Sequence, residues 1–196
     1  SLKGQFQDFG WIPLMAGLAI AQAIEGTTNI NISLKWPNDI LLNELKVGGI
    51  LCESFKKTST ETCVVIGFGI NVNLTKSAFP KDLEYMATSL LIHTQHPLDR
   101  HQLLTSIIPS LENGWDALIT QGPSACQEKY SKRCSTLGKE ILVQFPDGNT
   151  LEGMAESIGE QGQLQIIPYS SGKEGESARI VDIHAGDIRH IRKTKN

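Results

Sequence analysis

The chain has 196 residues, 18 basic against 21 acidic side chains, a net charge of -3 and a 40% hydrophobic share. That suffices for one medium domain, or one medium and one small domain, around an ordinary core. The slight acidic balance argues against non-specific nucleic-acid binding, no apolar run reaches the length of a membrane span, and the first residues lack the charged-then-apolar pattern of a signal peptide.

A helix is predicted over residues 11–25: Leu14, Leu18, Ala21 and Ile24 recur near a 3.6-residue period. Pro13 suits its first turn, and Gly26 and Asn29 mark its end. A β-rich block follows. Residues 31–36 alternate, with Ile32, Leu34 and Trp36 on one side, and the short apolar runs 40–42 and 47–52 flank Asn43-Glu44, a plausible tight turn. Residues 62–74 read as another strand. A short helix is expected within 79–92, after Pro80. Asp99 is the candidate N-cap of a long helix through Ile119, with a kink or break expected at Pro109. A further short helix is read over 123–130.

Beyond about Cys134 the texture changes. Short strands are predicted at 141–145, 150–158, 163–168 and 178–183, with turns at Asp147-Gly148, 159–162 and 170–175. This spacing suggests a small barrel or sandwich. The division predicted is therefore residues 1–134 and 135–196, and so small a C-terminal unit is expected to pack on its neighbour. None of the four cysteines forms a CxxC pair, and Cys52 and Cys63 lie in apolar runs, so reduced thiols and a reducing, cytoplasmic setting are expected. The five histidines show no zinc-like spacing.

The segment richest in chemistry is Lys35-Trp36-Pro37-Asn38-Asp39-Ile40, followed by Lys46-Val47-Gly48-Gly49-Ile50-Leu51. If Asn43-Glu44 closes a two-residue hairpin, Leu42 faces Leu45, Leu41 faces Lys46 and Asp39 faces Gly48. Asp39 and Lys46 then share one face as diagonal neighbours, spaced to bracket a small substrate rather than to pair. Two glycines in mid-strand mark a bulge or the close approach of a ligand. A second cluster, Ile66-Gly67-Phe68-Gly69-Ile70-Asn71, lets a flat ligand lie against backbone, but the residues after it lack the helix a dinucleotide-binding motif needs. Taken alone, these residues describe an α/β domain with a polar, glycine-lined pocket. A solvated lysine, a turn aspartate and a glycine bulge are the plainer readings of each feature singly.

The three segments, in this order and spacing, resemble biotin–protein ligases over their central region, and the helix at 11–25 and residues 138–192 extend the likeness to nearly the whole chain. The resemblance implies an α+β fold: part of a catalytic core related to class II aminoacyl-tRNA synthetases, followed by an SH3-like β-barrel. It implies ATP-dependent activation of biotin to biotinoyl-5′-AMP, then transfer to a lysine of a biotin carboxyl carrier protein or domain of acetyl-CoA carboxylase or a related carboxylase. By that likeness Lys46 and Asp39 are catalytic, Lys46 against the biotin carboxylate and α-phosphate, Asp39 as general base for the incoming lysine. Lys46, Gly48, Gly49, Gly67 and Gly69 would bind biotin. Lys35, Asn38, Ile70, Asn71, Asp187 and Arg189 would bind the nucleotide, and Asn38 and Asn71 would offer oxygens to Mg²⁺.

The family also carries an upstream glycine- and arginine-rich loop and a Ser/Thr-rich biotin-binding strand. Neither occurs in these 196 residues. The expectation is an incompletely represented chain whose own adenylate-forming activity needs testing, without a DNA-binding domain. A non-catalytic or truncated fragment that binds biotin or carrier, and a lipoate–protein ligase, stay open as alternatives.

Overall fold

A computed structural model describes residues 2–3, 9–59, 61–169 and 179–190. Helix α1 (Trp11–Thr28) is apolar nearly all round, and twelve of its residues are buried. A helix without a polar face must sit inside. It packs between a sheet on one side and helices α3 (Arg100–Gln121) and α4 (Ser124–Arg133) on the other. The helix runs three residues past its predicted end, because Gly26 is helical and Asn29 alone supplies the left-handed cap (φ 56°), donating to the Glu25 carbonyl at 2.8 Å.

The first sheet is antiparallel, in the order β1 (Leu2–Lys3), β5 (Glu61–Ile70), β4 (Leu45–Lys56), β3 (Asp39–Leu42), β2 (Ser33–Lys35). Ile50 is buried on the face toward α1, with Cys52, Ile66 and Phe68 packed against the same core. The predicted helix within 79–92 is corrected: residues 81–86 are turns, and α2 begins only at Leu90 (Leu90–Thr94), capped by the Ser89 hydroxyl accepting from Ile92 N–H at 3.3 Å. Pro80 cannot donate to a preceding turn, and the backbone at 86–88 is taken up by pairing with Lys46. The Asp99 cap holds, its carboxylate accepting from His101 and Gln102 N–H at 2.8 and 3.4 Å. Pro109 lies inside α3 without breaking it. Burial of Leu103, Ile107 and Leu118 along one stripe keeps the helix continuous.

The second sheet is an antiparallel ladder: β10 (Asp187–His190), β6 (Glu140–Gln144), β7 (Thr150–Ile158), β8 (Leu164–Pro168), β9 (Val181–Ile183). Strand β10 went unpredicted, and the predicted turn at 170–175 and the start of the strand at 178 lie outside the described residues. Two indoles dock this sheet on the first. Trp11 Nε1 donates to the Glu160 carbonyl at 2.8 Å, and Trp36 Nε1 to the Gly162 carbonyl at 2.9 Å, both in the β7–β8 turn. Trp36 N–H also donates to the Thr136 hydroxyl at 3.2 Å, and Ser135 N–H to the Leu34 carbonyl at 2.7 Å.

The turn approaches Gly10 so closely that a Cβ there would stand 2.1 Å from the Gln161 carbonyl oxygen. Gly10→Ala should therefore lower stability by about 1–3 kcal/mol, as overpacking does. Gly26→Ala, in exposed helix with no atom within 4 Å of the added carbon, should raise it by about 0.5–1 kcal/mol. Urea unfolding midpoints check the opposite signs.

Candidate functional site

Asn43 and Glu44 turn the β3–β4 hairpin with φ of 50° and 65°, the left-handed pair of a two-residue turn. Leu42 opposes Leu45 and Leu41 opposes Lys46, as the sequence predicts; beyond that the register slips. Val47 is an extra, unpaired residue, so Ile40 opposes Gly48 and Asp39 opposes Gly49, not Gly48. This β-bulge has partners of its own. Lys46 N–H donates to the Met86 carbonyl and Thr88 N–H to the Lys46 carbonyl, both at 2.9 Å, and Asn71 N–H donates to the Val47 carbonyl at 2.8 Å.

Directly opposed residues share a sheet face. Lys35 opposes Asp39, Asp39 opposes Gly49, and Gly49 opposes Gly69, so all four lie on the face away from α1 with Lys46. Lys46 and Asp39 do not bracket a gap as expected: the ammonium pairs directly with the carboxylate. Gly49 permits this, because the Lys46 stem and ammonium pass 3.3 and 3.4 Å from where its Cβ would be. Gly69, with no atom within 4 Å of its own Cβ position, leaves bare backbone in front of them. Gly48 has a different reason: the Gly69 carbonyl oxygen would stand 2.6 Å from a Cβ there.

These groups floor a cleft of about 1420 Å³. Its far wall comes from the second sheet, through Lys139, Asp187, Arg189 and His190; its side wall is the loop after β5, through Leu74, Phe79, Leu83, Tyr85 and Met86. Of the sequence-predicted site residues, Asn38 and Gly67 do not line it. Asn38 is occupied instead in the ladder, its Nδ2 donating to the Ile50 carbonyl at 2.8 Å and its carbonyl accepting from Ile50 N–H at 2.9 Å. Gly67 lies two residues along the same face, opposite Leu51, which is 64% exposed. Asn71 turns its amide Nδ2 to the Thr88 carbonyl at 3.0 Å, and its Oδ1 meets no donor among the described residues.

Charges in the cleft are largely paired: Lys46 with Asp39, Lys139 with Glu44 at 2.8 Å, and Arg189 with Asp187 at 3.7 Å. Lys35 forms no ion pair among the described residues, leaving a cation for an anionic ligand. Burial pushes the Cys52 and Cys126 thiols up to about 11, so both stay protonated and non-nucleophilic at neutral pH. Sequence reasoning missed Glu44, Lys139, His190 and the 74–86 wall. The first three meet only through long-range contacts, and the wall was read as helix.

A protein-family model described as the biotin/lipoate A/B protein ligase family matches residues 8–71, a stretch that ends on Asn71 and contains all three motif segments. The biotin–[acetyl-CoA-carboxylase] ligase of Mycobacterium tuberculosis is 31% identical over 192 residues, covering 95% of this chain and 64% of its own length. The bifunctional ligase/repressor BirA of Bacillus subtilis is 32% identical over 169 residues, covering 86% and 52%. Over most of its length the chain is similar to biotin–protein ligases. Among solved structures, the biotin protein ligase from Aquifex aeolicus superimposes with a TM-score of 0.80 at 27% identity, over 95% of this chain and 77% of that one. The same ligase in complex with biotin and ATP gives 0.78 at 26% identity, over 95% and 74%. The fold is thus the mixed α/β fold of the family's ligases, and the chain spans between half and two thirds of these two curated relatives.

Gly48→Ala should destabilise the hairpin by about 1–3 kcal/mol, because backbone cannot yield like a flexible side chain. Gly69→Ala should leave the unfolding midpoint unchanged or raised while its methyl fills the cleft floor. Thermal melts of the two variants check this contrast.

Proposed function

We propose that this chain carries much of a biotin–protein ligase that activates biotin with ATP and passes it to a lysine of a biotin-carrier domain of a carboxylase. One observation carries the reading: an ammonium, Lys46, lies over a side-chain-free floor at Gly49 and Gly69 beside a carboxylate, Asp39. In the first step a biotin carboxylate oxygen attacks the ATP α-phosphorus. The bond to the β-phosphate bridging oxygen breaks, and pyrophosphate leaves. Lys46 can reach both anions and offset the charge that gathers between them. In its pair with Asp39 the Lys46 side chain is half-exposed and Asp39 19% exposed, and a pair open to solvent on one side contributes about 1 kcal/mol. Two incoming anions therefore draw Lys46 off at little cost, and Asp39 is left as a free carboxylate.

In the second step the acceptor lysine amine attacks the acyl carbon of biotinoyl-5′-AMP, the acyl C–O bond breaks, and AMP leaves. The freed Asp39 takes the amine proton as general base. Lys35 would meet phosphate, Arg189 and Asp187 would meet the nucleotide from the second sheet, and the Leu83, Tyr85 and Met86 wall offers an apolar face for the base. Mg²⁺, when bound, would neutralise the triphosphate. Among the described residues no group of three or more His, Cys, Asp or Glu could hold a metal. That suits an ion carried mainly by phosphates and water. The undonated Oδ1 of Asn71, which lines the cleft, is the protein oxygen we assign to it ahead of Asn38, which does not line the cleft.

The finer architecture belongs to the same proposal: a class II synthetase-like core over 1–134 and an SH3-like barrel over 135–196. The five short antiparallel strands after Arg133 support it. The four free cysteines fit a cytoplasmic setting. Lipoate is the rival substrate, and equilibrium binding of biotin against lipoate separates them.

Lys46→Ala should cut biotin-dependent pyrophosphate release by about 100-fold or more, as loss of a charge-stabilising donor does. Near-normal turnover would remove Lys46 from the mechanism. Binding without any labelling of an acceptor lysine by the unaltered protein would favour a non-catalytic fragment.

A further inference from the structure

We propose that Glu44 is a positioning residue of this cleft, clamping the second sheet from the hairpin tip so that the β10 wall stands at a set span from Lys46. The inference rests on the ligase reading and deepens it. The backbone supplies the first observation. Glu44 is held at φ 65°, where Asn and Gly are at ease and a longer side chain is disfavoured. Asn43, its neighbour in the turn, suits that conformation; glutamate does not. A strained residue at the edge of a cleft points to work done by its side chain.

The side chain supplies the second observation. Glu44 Oε2 lies 2.8 Å from Lys139 Nζ and 4.0 Å from His190 Nδ1. Lys139 precedes β6 and His190 ends β10, and those strands are neighbours, with His190 opposite Ile141. One carboxylate therefore pairs with Lys139 and lies beside His190, at two adjoining strand ends. Among the described residues the ion pair that crosses between the sheets uses it, and His190 adds a second when its ring is protonated. The Trp11 and Trp36 indoles hold the second sheet at the β7–β8 turn, and the Trp36–Thr136 and Ser135–Leu34 hydrogen bonds hold the chain leading into β6, but none of these is a charged link at the cleft wall. Glu44 is two residues from Lys46 and His190 is next to Arg189, so the clamp spans the two walls where a nucleotide would lie. All three clamp residues line the cleft.

The test uses Glu44→Gly, Glu44→Gln, Lys139→Glu and the charge-reversed pair Glu44→Lys with Lys139→Glu. Steady-state biotin-dependent pyrophosphate release gives KM for ATP and kcat, and urea unfolding gives stability. Glu44→Gly relieves the strained turn, so its unfolding midpoint should hold or rise. Its KM for ATP should nonetheless increase about fivefold, the most that losing one partly exposed ion pair supports, with biotin affinity unchanged. Glu44→Gln should behave likewise, and the charge-reversed pair should recover most of the KM that Lys139→Glu alone loses. An unchanged KM in Glu44→Gly, a KM that rises only in step with lost stability, or no recovery in the reversed pair would overturn the clamp. If the unaltered protein makes no adenylate, the ligase reading fails instead. Hydrogen exchange of residues 139–142 and 187–190 then judges the clamp alone: faster exchange in Glu44→Gly upholds it, equal exchange sinks it.

Discussion

One extra residue, Val47, governs the geometry of the cleft. Without the bulge, Asp39 would oppose Gly48, and the hairpin would run as a regular ladder. With it, the strand turns the Lys46 peptide away from β3 and hands its N–H and C=O to Met86 and Thr88. The same bulge turns the Val47 carbonyl to Asn71. The ammonium, the apolar side wall and the candidate Mg²⁺ ligand are thus indexed to a single backbone irregularity. Val47 itself is fully buried, so the bulge is anchored by packing and cannot slide along the strand without exposing its side chain.

A floor indexed so tightly is of use only if the opposite wall is equally fixed. That wall belongs to a sheet whose first strand begins more than ninety residues after the hairpin turn. The Trp36 side chain carries the connection. Its indole N–H and its backbone N–H reach Gly162 and Thr136, while the residues on either side of Trp36-Pro37 belong to the first sheet. Trp36 is buried, and a buried donor left unmatched costs about 1–3 kcal/mol. The motif is therefore structural and chemical at once: Lys35 and Asp39 face the cleft, and the tryptophan between them fastens the second sheet.

What could be read from sequence follows from the range of the forces involved. The α1 period, the Asn43-Glu44 turn, the Asp99 cap and the strand at 150–158 are local, and each is present. The Val47 bulge is not local. It depends on Met86, Thr88 and Asn71 arriving from elsewhere, so the predicted register failed two residues past the turn. The same cause accounts for the helix expected within 79–92 beginning only at Leu90, since Met86 and Thr88 pair with Lys46. At Pro109 the break, one of the two outcomes expected there, is absent: a local helix breaker lost to a buried stripe. Most residues of the candidate site were legible because the motif is contiguous; Glu44, Lys139 and His190 were not, because their meeting is purely tertiary.

The ion pairs of the cleft bear on how one set of groups could serve two successive reactions. A lone ammonium on an open floor would attract any anion, and a lone carboxylate would repel both substrates. Paired, Lys46 and Asp39 present little net field to solvent, and Lys35, without an ion pair among the described residues, would be the cation that draws phosphate first on the proposed reading. Once phosphate and carboxylate are present, they compete with Asp39 for Lys46 on better terms, because two anions converge on it in a less hydrated space. On the proposed reading, that exchange would make the base available only after the activating cation is engaged, and the order of reaction would follow from which anion holds Lys46.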